Sequence, residues 1–362
     1  MPARADMTGS AGSAGWAGVA VIGSGAWGTT LALLAAQRAA SASPSPSPAP
    51  NDATVMLWEH RAERAAAMAR ERENRAFLPG HPFPECLRVS SDLAEAVAGR
   101  GIVVLVTPAQ RVRENARLLA PLLAPGAVVV CASKGLELGT FRRMTEVARE
   151  ELGPGVLVAA LSGPNLAGEI ARGMPAAAVV AAADDAVAGR ARQALTTSRF
   201  RLYTTHDVVG VELGGALKNI IALGVGISDG LEYGDNAKAS IMTRGLAEMA
   251  RLALAAGANP LTLSGLAGLG DLIATCSSPL SRNHTLGLEL AKGRALDDIL
   301  AERQSVAEGV PTTRAALEMA RALGVELPIT AQIAQVLFAG KDARQVVGEF
   351  MERDPKRELE GL

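Results

Sequence analysis

The run VAVIGSGAWGTTLALLAAQ, beginning at Val19, constrains the fold more than any other stretch of the chain. Four apolar residues lead straight into glycines at 23, 25 and 28, and a small, apolar helical pattern follows. A bare G-x-G-x-x-G is a weak signal. Between a strand and a helix it becomes specific for a dinucleotide-binding turn. The first glycine permits the tight turn, the second lets backbone approach a pyrophosphate, and the third allows close helix–strand packing. The helix start adds free N–H groups and the positive end of its dipole.

The rest of the first half repeats the alternation. VAVIG, ATVMLWEH (from Ala53), IVVLVTP (from Ile102), AVVVCASKG (from Ala127), GVLVAALSGP (from Gly155), AAAVVAAA (from Ala176) and RLYTT (from Arg201) read as buried strands separated by helices. Continuous apolar strands of this kind predict a parallel sheet covered on both faces. After Thr205 only helical patterns follow, so an all-helical second domain is expected. The division predicted is a tail at 1–17, an α/β domain at 18–204 and a helical domain at 205–362. The segment from Ser41 to Asp52, SASPSPSPAPND, reads as a surface loop inserted in the first domain, because alternating Ser-Pro supports neither helix nor ladder.

Composition narrows the function classes. Hydrophobic residues are 49% and charged ones 20%, as in globular proteins. A net charge of -1 and 3% aromatics argue against nucleic-acid binding. Three scattered cysteines fit a reducing compartment, and four histidines show no metal-ligand spacing. The first residues lack the apolar core of a signal peptide, and no run of about 18 uninterrupted apolar residues occurs, so no membrane insertion and a cytoplasmic location are expected.

The end of the second strand reads the ribose in this fold class. Glu59 lies about a dozen residues farther from Gly28 than the ~20 of the fingerprint, and the insert accounts for the excess. Glu59 favours a ribose hydroxyl and NAD, whereas His60 and Arg61 favour a 2′-phosphate and NADP, so both cofactors stay open.

Polar residues in apolar surroundings mark the rest of a site. Lys134 follows a strand end, where ligands bind in open α/β sheets, although a surface lysine gives the same pattern. SGPNLAGE, from Ser162 to Glu169, is a second strand-end loop that either faces a ligand or caps a helix. Asp271 lies among glycines and apolar residues. Ser281, Arg282 and Asn283 open a helix and form either an anion site or an ordinary cap. Glu308 precedes another helix start. Lys218 interrupts VVGVELGGALKNIIALGVGISDG, an otherwise small and apolar helix. Only six of the 36 lysine and arginine residues are lysine. Lysine can shed its proton when desolvated and arginine cannot, which makes Lys218 a candidate general base.

These segments, with FLPG, SKGLE, GDNAKAS, TRGLAEM, GLAGLGDLIATC and VAEGVPT, closely resemble the bacterial type of NAD(P)-dependent sn-glycerol-3-phosphate dehydrogenase from about Val19 to Lys356. The resemblance implies a Rossmann-type domain followed by a helical domain like the C-terminal one of 6-phosphogluconate dehydrogenase. It implies reduction of dihydroxyacetone phosphate to sn-glycerol 3-phosphate for glycerophospholipid synthesis, with NAD or NADP and no metal; an apolar helical domain also suits a homodimer. Lys218 is then the catalytic acid/base. Lys134, Gly163, Asn165, Asn219, Asp271, Ser281, Arg282 and Asn283 bind substrate. Gly23, Gly25, Ala26, Trp27, Gly28, His60, Arg61, Phe77, Lys134, Ala167, Arg282, Val306 and Glu308 contact the cofactor.

Some positions depart from the family pattern. Asn165 replaces a serine or threonine, Phe77 a tyrosine, Thr30 an alanine, and Glu59 a small residue. The expected chemistry is hydride delivery by the cofactor with a proton from Lys218, its pKa lowered by burial and by Lys134 and raised by Asp271. A dehydrogenase for a 3-hydroxy acid or 6-phosphogluconate, and a dinucleotide sensor without turnover, are the rival readings.

Overall fold

The computed structural model describes residues 18–42, 55–303 and 306–352. The tail at 1–17, all but two residues of the Ser/Pro insert, and 353–362 lie outside the described residues.

Ten strands form: β1 (Val19–Ile22), β2 (Val55–Trp58), β3 (Glu73–Asn74), β4 (Leu78–Pro82), β5 (Leu87–Ser90), β6 (Ile102–Leu105), β7 (Val128–Cys131), β8 (Leu157–Ser162), β9 (Ala176–Ala181) and β10 (Phe200–Thr205). Eight of them make one sheet in the order β10-β9-β8-β7-β6-β1-β2-β5, while β3 and β4 pair as a separate hairpin. The order reverses at β1, which has β2 on one side and β6 on the other. Ligand crevices open at such a reversal, beyond the carboxyl ends of the strands.

Alternation along each strand serves both faces. Val19 and Val21 join one core with Val55, Leu57 and Leu31, whereas Ala20 and Ile22 join another with Met56, Trp58 and Val112. A strand with helices on both sides has no polar face to keep, which is why these segments are apolar throughout.

Two features of the sheet differ from expectation. Strand β5 was not expected; at four residues, with Arg88 exposed on the sheet edge, it carries too little apolar pattern. The sheet is also mixed, because β8 and β9 run antiparallel and β10 follows β9 in parallel. The link from β8 to β9 holds only the five-residue helix Ala167–Ala171. That helix advances roughly 7 Å at 1.5 Å per residue, too little to return the chain along a strand of about 20 Å. Apolar continuity does not encode direction, so the sequence pattern was silent on it.

From Val208 onward every described element is helical. The Val208–Gly230 helix is the axle of this half, with Asp207 accepting the Gly210 N–H at its start (2.9 Å). By length and composition it could cross a membrane, yet 94% of its apolar window is buried inside the fold. A helix apolar on all sides is one that other helices enclose. Gly226 shows how close they come, since a Cβ there would lie 2.1 Å from the carbonyl oxygen of His284.

Two carboxylates fasten the helical half to the α/β half. Glu212 accepts from the Thr145 N–H at 2.8 Å and from Arg143 at 2.8 Å. Glu308 accepts the Ala109 N–H at 2.9 Å.

Candidate active site

The glycine turn closes the end of β1. Gly23 sits at φ +120°, a left-handed conformation that disfavours a side chain, and a Cβ there would also meet the Val106 carbonyl oxygen at 2.8 Å. A Cβ on Gly28 would lie 1.9 Å from the Gly23 oxygen, so only glycine lets the helix start there. Gly25 faces open space at the N-terminus of the Ala26–Ala42 helix.

The loop is held from outside by residues that the motif does not include. Asn74, fully buried in β3, donates to the Ser24 carbonyl oxygen at 2.7 Å and to Thr29 Oγ1 at 2.8 Å. Ser24 Oγ donates to Glu59 Oε2. Glu59 also accepts the Arg61 N–H at 3.0 Å, and Arg64 lies 3.5 Å away. His60 and Arg61 have exposed side chains. Phe77, in the hairpin turn, stacks under the Arg64 guanidinium at 5.0 Å.

Across the crevice, one carboxylate gathers two lysines. Asp271 Oδ1 accepts from Lys218 Nζ, and Asp271 Oδ2 accepts from Lys134 Nζ at 2.7 Å. Lys134 also donates to the Gly163 carbonyl oxygen at 2.8 Å, and Lys218 donates to Thr275 Oγ1 at 2.6 Å. Asp271 is only 1% exposed and Lys218 6%. Two ammonium groups sharing one carboxylate in a dry site leave a surplus positive charge. Burial pushes Lys134 down to about 7, with attraction from Asp271 opposing the shift and Lys218 adding to it. The lowered lysine thus identified is Lys134. The other described lysines make surface pairs: Lys238 with Asp229, Lys292 with Glu289 and Lys341 with Glu349. Lys218, which the scarcity of lysine singled out, thus shares its carboxylate with Lys134.

A second cluster adjoins the first. Asn283 Nδ2 donates to Asn219 Oδ1 at 2.9 Å, and Asn283 Oδ1 accepts the Gly309 N–H at 3.0 Å. Ser281 caps its helix by accepting the His284 N–H at 3.2 Å, so its hydroxyl has a structural job. Arg282 is the first residue of that helix, with its side chain exposed. Val306 is 44% exposed, ahead of the helix that Glu308 precedes. Ala167 starts the short helix after SGPN, and its carbonyl oxygen accepts from Thr30 Oγ1 at 3.2 Å.

Several side chains in the crevice are buried with polar atoms that no protein group satisfies. They are both polar atoms of Asn165, Ser162 Oγ, Glu308 Oε2, Thr312 Oγ1 and Trp27 Nε1. Buried polar atoms are nearly always paired, so a cluster of orphans calls for a polar ligand. Glu308 Oε2 and Thr312 Oγ1 flank Gly135, next to Lys134. With an open Gly25 at a helix N-terminus, these residues fit a dinucleotide and a small polar substrate.

The sequence reading missed Thr275, Ser24, Asn74 and Ala109. Thr275 had a usable signal, since it stands one helical turn after Asp271 and faces the same way (Oγ1 to Oδ1, 3.3 Å). Asn74 and Ala109 had none, because only folding brings them to the loop and to Glu308. Among the described residues no cluster of His, Cys, Asp and Glu suits a metal ion.

The family described as NAD-dependent glycerol-3-phosphate dehydrogenase matches with its N-terminal part over residues 18–188 and its C-terminal part over 207–348. A glycerol-3-phosphate dehydrogenase [NAD(P)+] of Dehalococcoides mccartyi is 47% identical over 95% of this chain and 93% of its own. The protein of that name from Chlorobium limicola is 46% identical over 94% and 99%. The crystal structure of glycerol-3-phosphate dehydrogenase from Coxiella burnetii superposes with a TM-score of 0.86 at 36% identity, covering 93% of this chain and 99% of that one. Two-domain matches of this extent, on a crevice with this chemistry, show that the chain belongs to the NAD-dependent glycerol-3-phosphate dehydrogenase family.

Proposed function

We propose that the chain catalyses the reversible reduction of dihydroxyacetone phosphate to sn-glycerol 3-phosphate, with NADH or NADPH as reductant. The observation that carries this reading is the buried Lys218–Asp271–Lys134 cluster at the crevice, beside unsatisfied polar atoms of Asn165 and Glu308. When bound, the nicotinamide supplies the hydride. The protein's share is to hold the ketone, polarise its oxygen and provide a proton.

Lys218 is assigned the proton. Asp271 and Thr275 fix the direction of its ammonium group, which leaves a donor for a substrate oxygen. Lys134 lies on the other oxygen of Asp271 and titrates near neutrality, so the cluster's charge adjusts where the enzyme works. Asn165, Asn219 and Asn283 are assigned to substrate hydroxyl and phosphate oxygens. Arg282, at a helix N-terminus, is assigned to the phosphate. Gly25, Ala26 and Trp27 are assigned to the pyrophosphate side and Glu308 to the nicotinamide side of the cofactor. The product is the glycerol phosphate unit of glycerophospholipids. Among the described residues the one helix long and apolar enough to cross a membrane is buried inside the fold, as in a soluble enzyme, and we extend the reading to a cytoplasmic homodimer.

The test is nicotinamide absorbance with purified protein, reduced cofactor and dihydroxyacetone phosphate. Oxidation with that substrate and at most a trace with unphosphorylated dihydroxyacetone is the expected result. Tight cofactor binding without turnover would replace the reading with a sensor. In Arg282→Ala, KM for the phosphorylated substrate should rise about 10–100-fold, the range of one charge-assisted hydrogen bond. An equal rise for an unphosphorylated analogue would remove Arg282 from the phosphate.

A further inference from the structure

Glu59 is one of the positions at which this chain departs from the pattern it resembles, and it is the acidic one. It follows directly on β2, where the adenosine ribose of a dinucleotide lies in this fold class. Its side chain is 2% exposed. A carboxylate offers about four acceptor sites, and here four neighbours surround it. Ser24 Oγ donates to Oε2 and the Arg61 N–H donates to Oε1 at 3.0 Å. His60 Nδ1 stands 3.1 Å from Oε1, and Arg64 stands 3.5 Å from Oε2.

We propose that Glu59, anchored on Ser24 of the glycine loop, makes this chain select NADH over NADPH by charge repulsion. This rests on reading the crevice as a dinucleotide site, and it adds the cofactor choice that the family name leaves open. Two consequences of the geometry carry it. The carboxylate cannot swing away, because Ser24 and the Arg61 N–H fix both of its oxygens. Arg64, a nearby cation that would welcome a 2′-phosphate, already lies 3.5 Å from Glu59, and His60 Nδ1 lies 3.1 Å from the other oxygen. Arg61 keeps an exposed side chain. A 2′-phosphate, which carries more than one negative charge at neutral pH, meets a fixed acid at the ribose end.

The mechanism has a signature. Since the partners of Glu59 are already in place, it discriminates by repelling phosphate more than by binding ribose hydroxyls. Removing its charge should therefore help NADPH without harming NADH. The probes are NADH and NADPH themselves, titrated separately into wild-type protein without substrate, with binding followed by quenching of tryptophan fluorescence. NADH should bind about tenfold or more tightly than NADPH, the scale on which like-charge juxtaposition acts. Equal or tighter binding of NADPH in the wild type would overturn the proposal, with no variant needed.

The variant test is Glu59→Gln, which keeps an acceptor for Ser24 and loses the charge. It should tighten NADPH by about tenfold while the NADH Kd stays within about twofold. A ratio unchanged from wild type, at an unchanged thermal transition, would overturn the assignment. If the variant is destabilised, Ser24→Ala serves instead; it frees the carboxylate, and a wild-type NADH:NADPH ratio there would remove the anchor from the proposal. Failure to reduce dihydroxyacetone phosphate would sink the proposed activity and leave these binding ratios untouched, so the two failures are distinguishable.

Discussion

Asp271 and Glu248 are both acids of the helical half, both nearly inaccessible at 1% and 2% exposure, and both surrounded by donors. Their partners separate them. Asp271 holds two lysine ammonium groups on side chains that come from different halves of the molecule. Glu248 accepts the backbone N–H groups of Ile329 and Thr330 and the Thr330 hydroxyl, at the start of the Pro328–Ala339 helix. The first arrangement sets two ammonium groups on one buried acid where the two halves meet. The second satisfies helix-terminal donors in a core. Burial and hydrogen bonding alone do not mark a catalytic acid; the chemistry of the partners and their position do.

Substitutions can break that contrast. Lys218→Ala should lower kcat by about 10²–10⁴-fold, the usual worth of positioned acid–base help, with NADH affinity little changed. Near wild-type turnover would return Asp271 to a structural role like that of Glu248. Asp271→Asn should lower kcat as well, and should move the pH–rate limb belonging to Lys134 to lower pH, because attraction from Asp271 holds that lysine up. A fixed limb with reduced turnover would mean that Asp271 only packs.

On the other side of the comparison, Glu248→Ala should cost about 1–3 kcal/mol of stability by stranding buried N–H groups. Denaturant unfolding measures the loss, and kcat and KM of the folded fraction should match wild type. A selective fall in kcat would erase the distinction.

The smallest effects lie in the pH dependence of stability, where the two clusters pull in opposite directions. Burial raises Glu248 from 4.5 to about 7 in the folded chain. Between those values the folded state keeps a proton that the unfolded chain has released, so stability falls as pH rises through that window. Burial lowers Lys134 from 10.5 to about 7. Between about 7 and 10.5 the unfolded chain holds the extra proton, so stability climbs with pH. Glu248→Gln should flatten the falling limb and Lys134→Met the climbing one. Each variant flattening the other's limb would show that the clusters are coupled.

Much of this contrast was legible before folding, and the illegible part has a physical cause. Asp271 and Lys218 stood out because charge is costly in apolar helices and must have a purpose there. Glu248 sits in TRGLAEM, where a glutamate after alanine looks like any solvated helix residue. Its burial depends on the Pro328–Ala339 helix, whose start reaches it from 81 positions away. Thr275 was readable from its spacing to Asp271. Glu59 was singled out but its bond to Ser24 was not, since pairing β1 with β2 is what brings the glycine loop to that carboxylate.

What the sequence determined by itself was local in origin. Glycines at 23 and 28 dictated a turn that a side chain would obstruct, because backbone sterics act at short range. Alternating apolar strands dictated a sheet buried on both faces, and lysine among arginines singled out Lys218. Tertiary structure decided the rest. The short β8–β9 link reversed the last two strands of the sheet. Desolvation assigned the lowered pKa to Lys134. The Glu59 carboxylate, which the sequence reads as favouring NAD, is held in place by Ser24 and the Arg61 N–H. Dielectric, distance and hydrogen-bond direction are properties of assembled neighbours, and no spacing along a chain contains them.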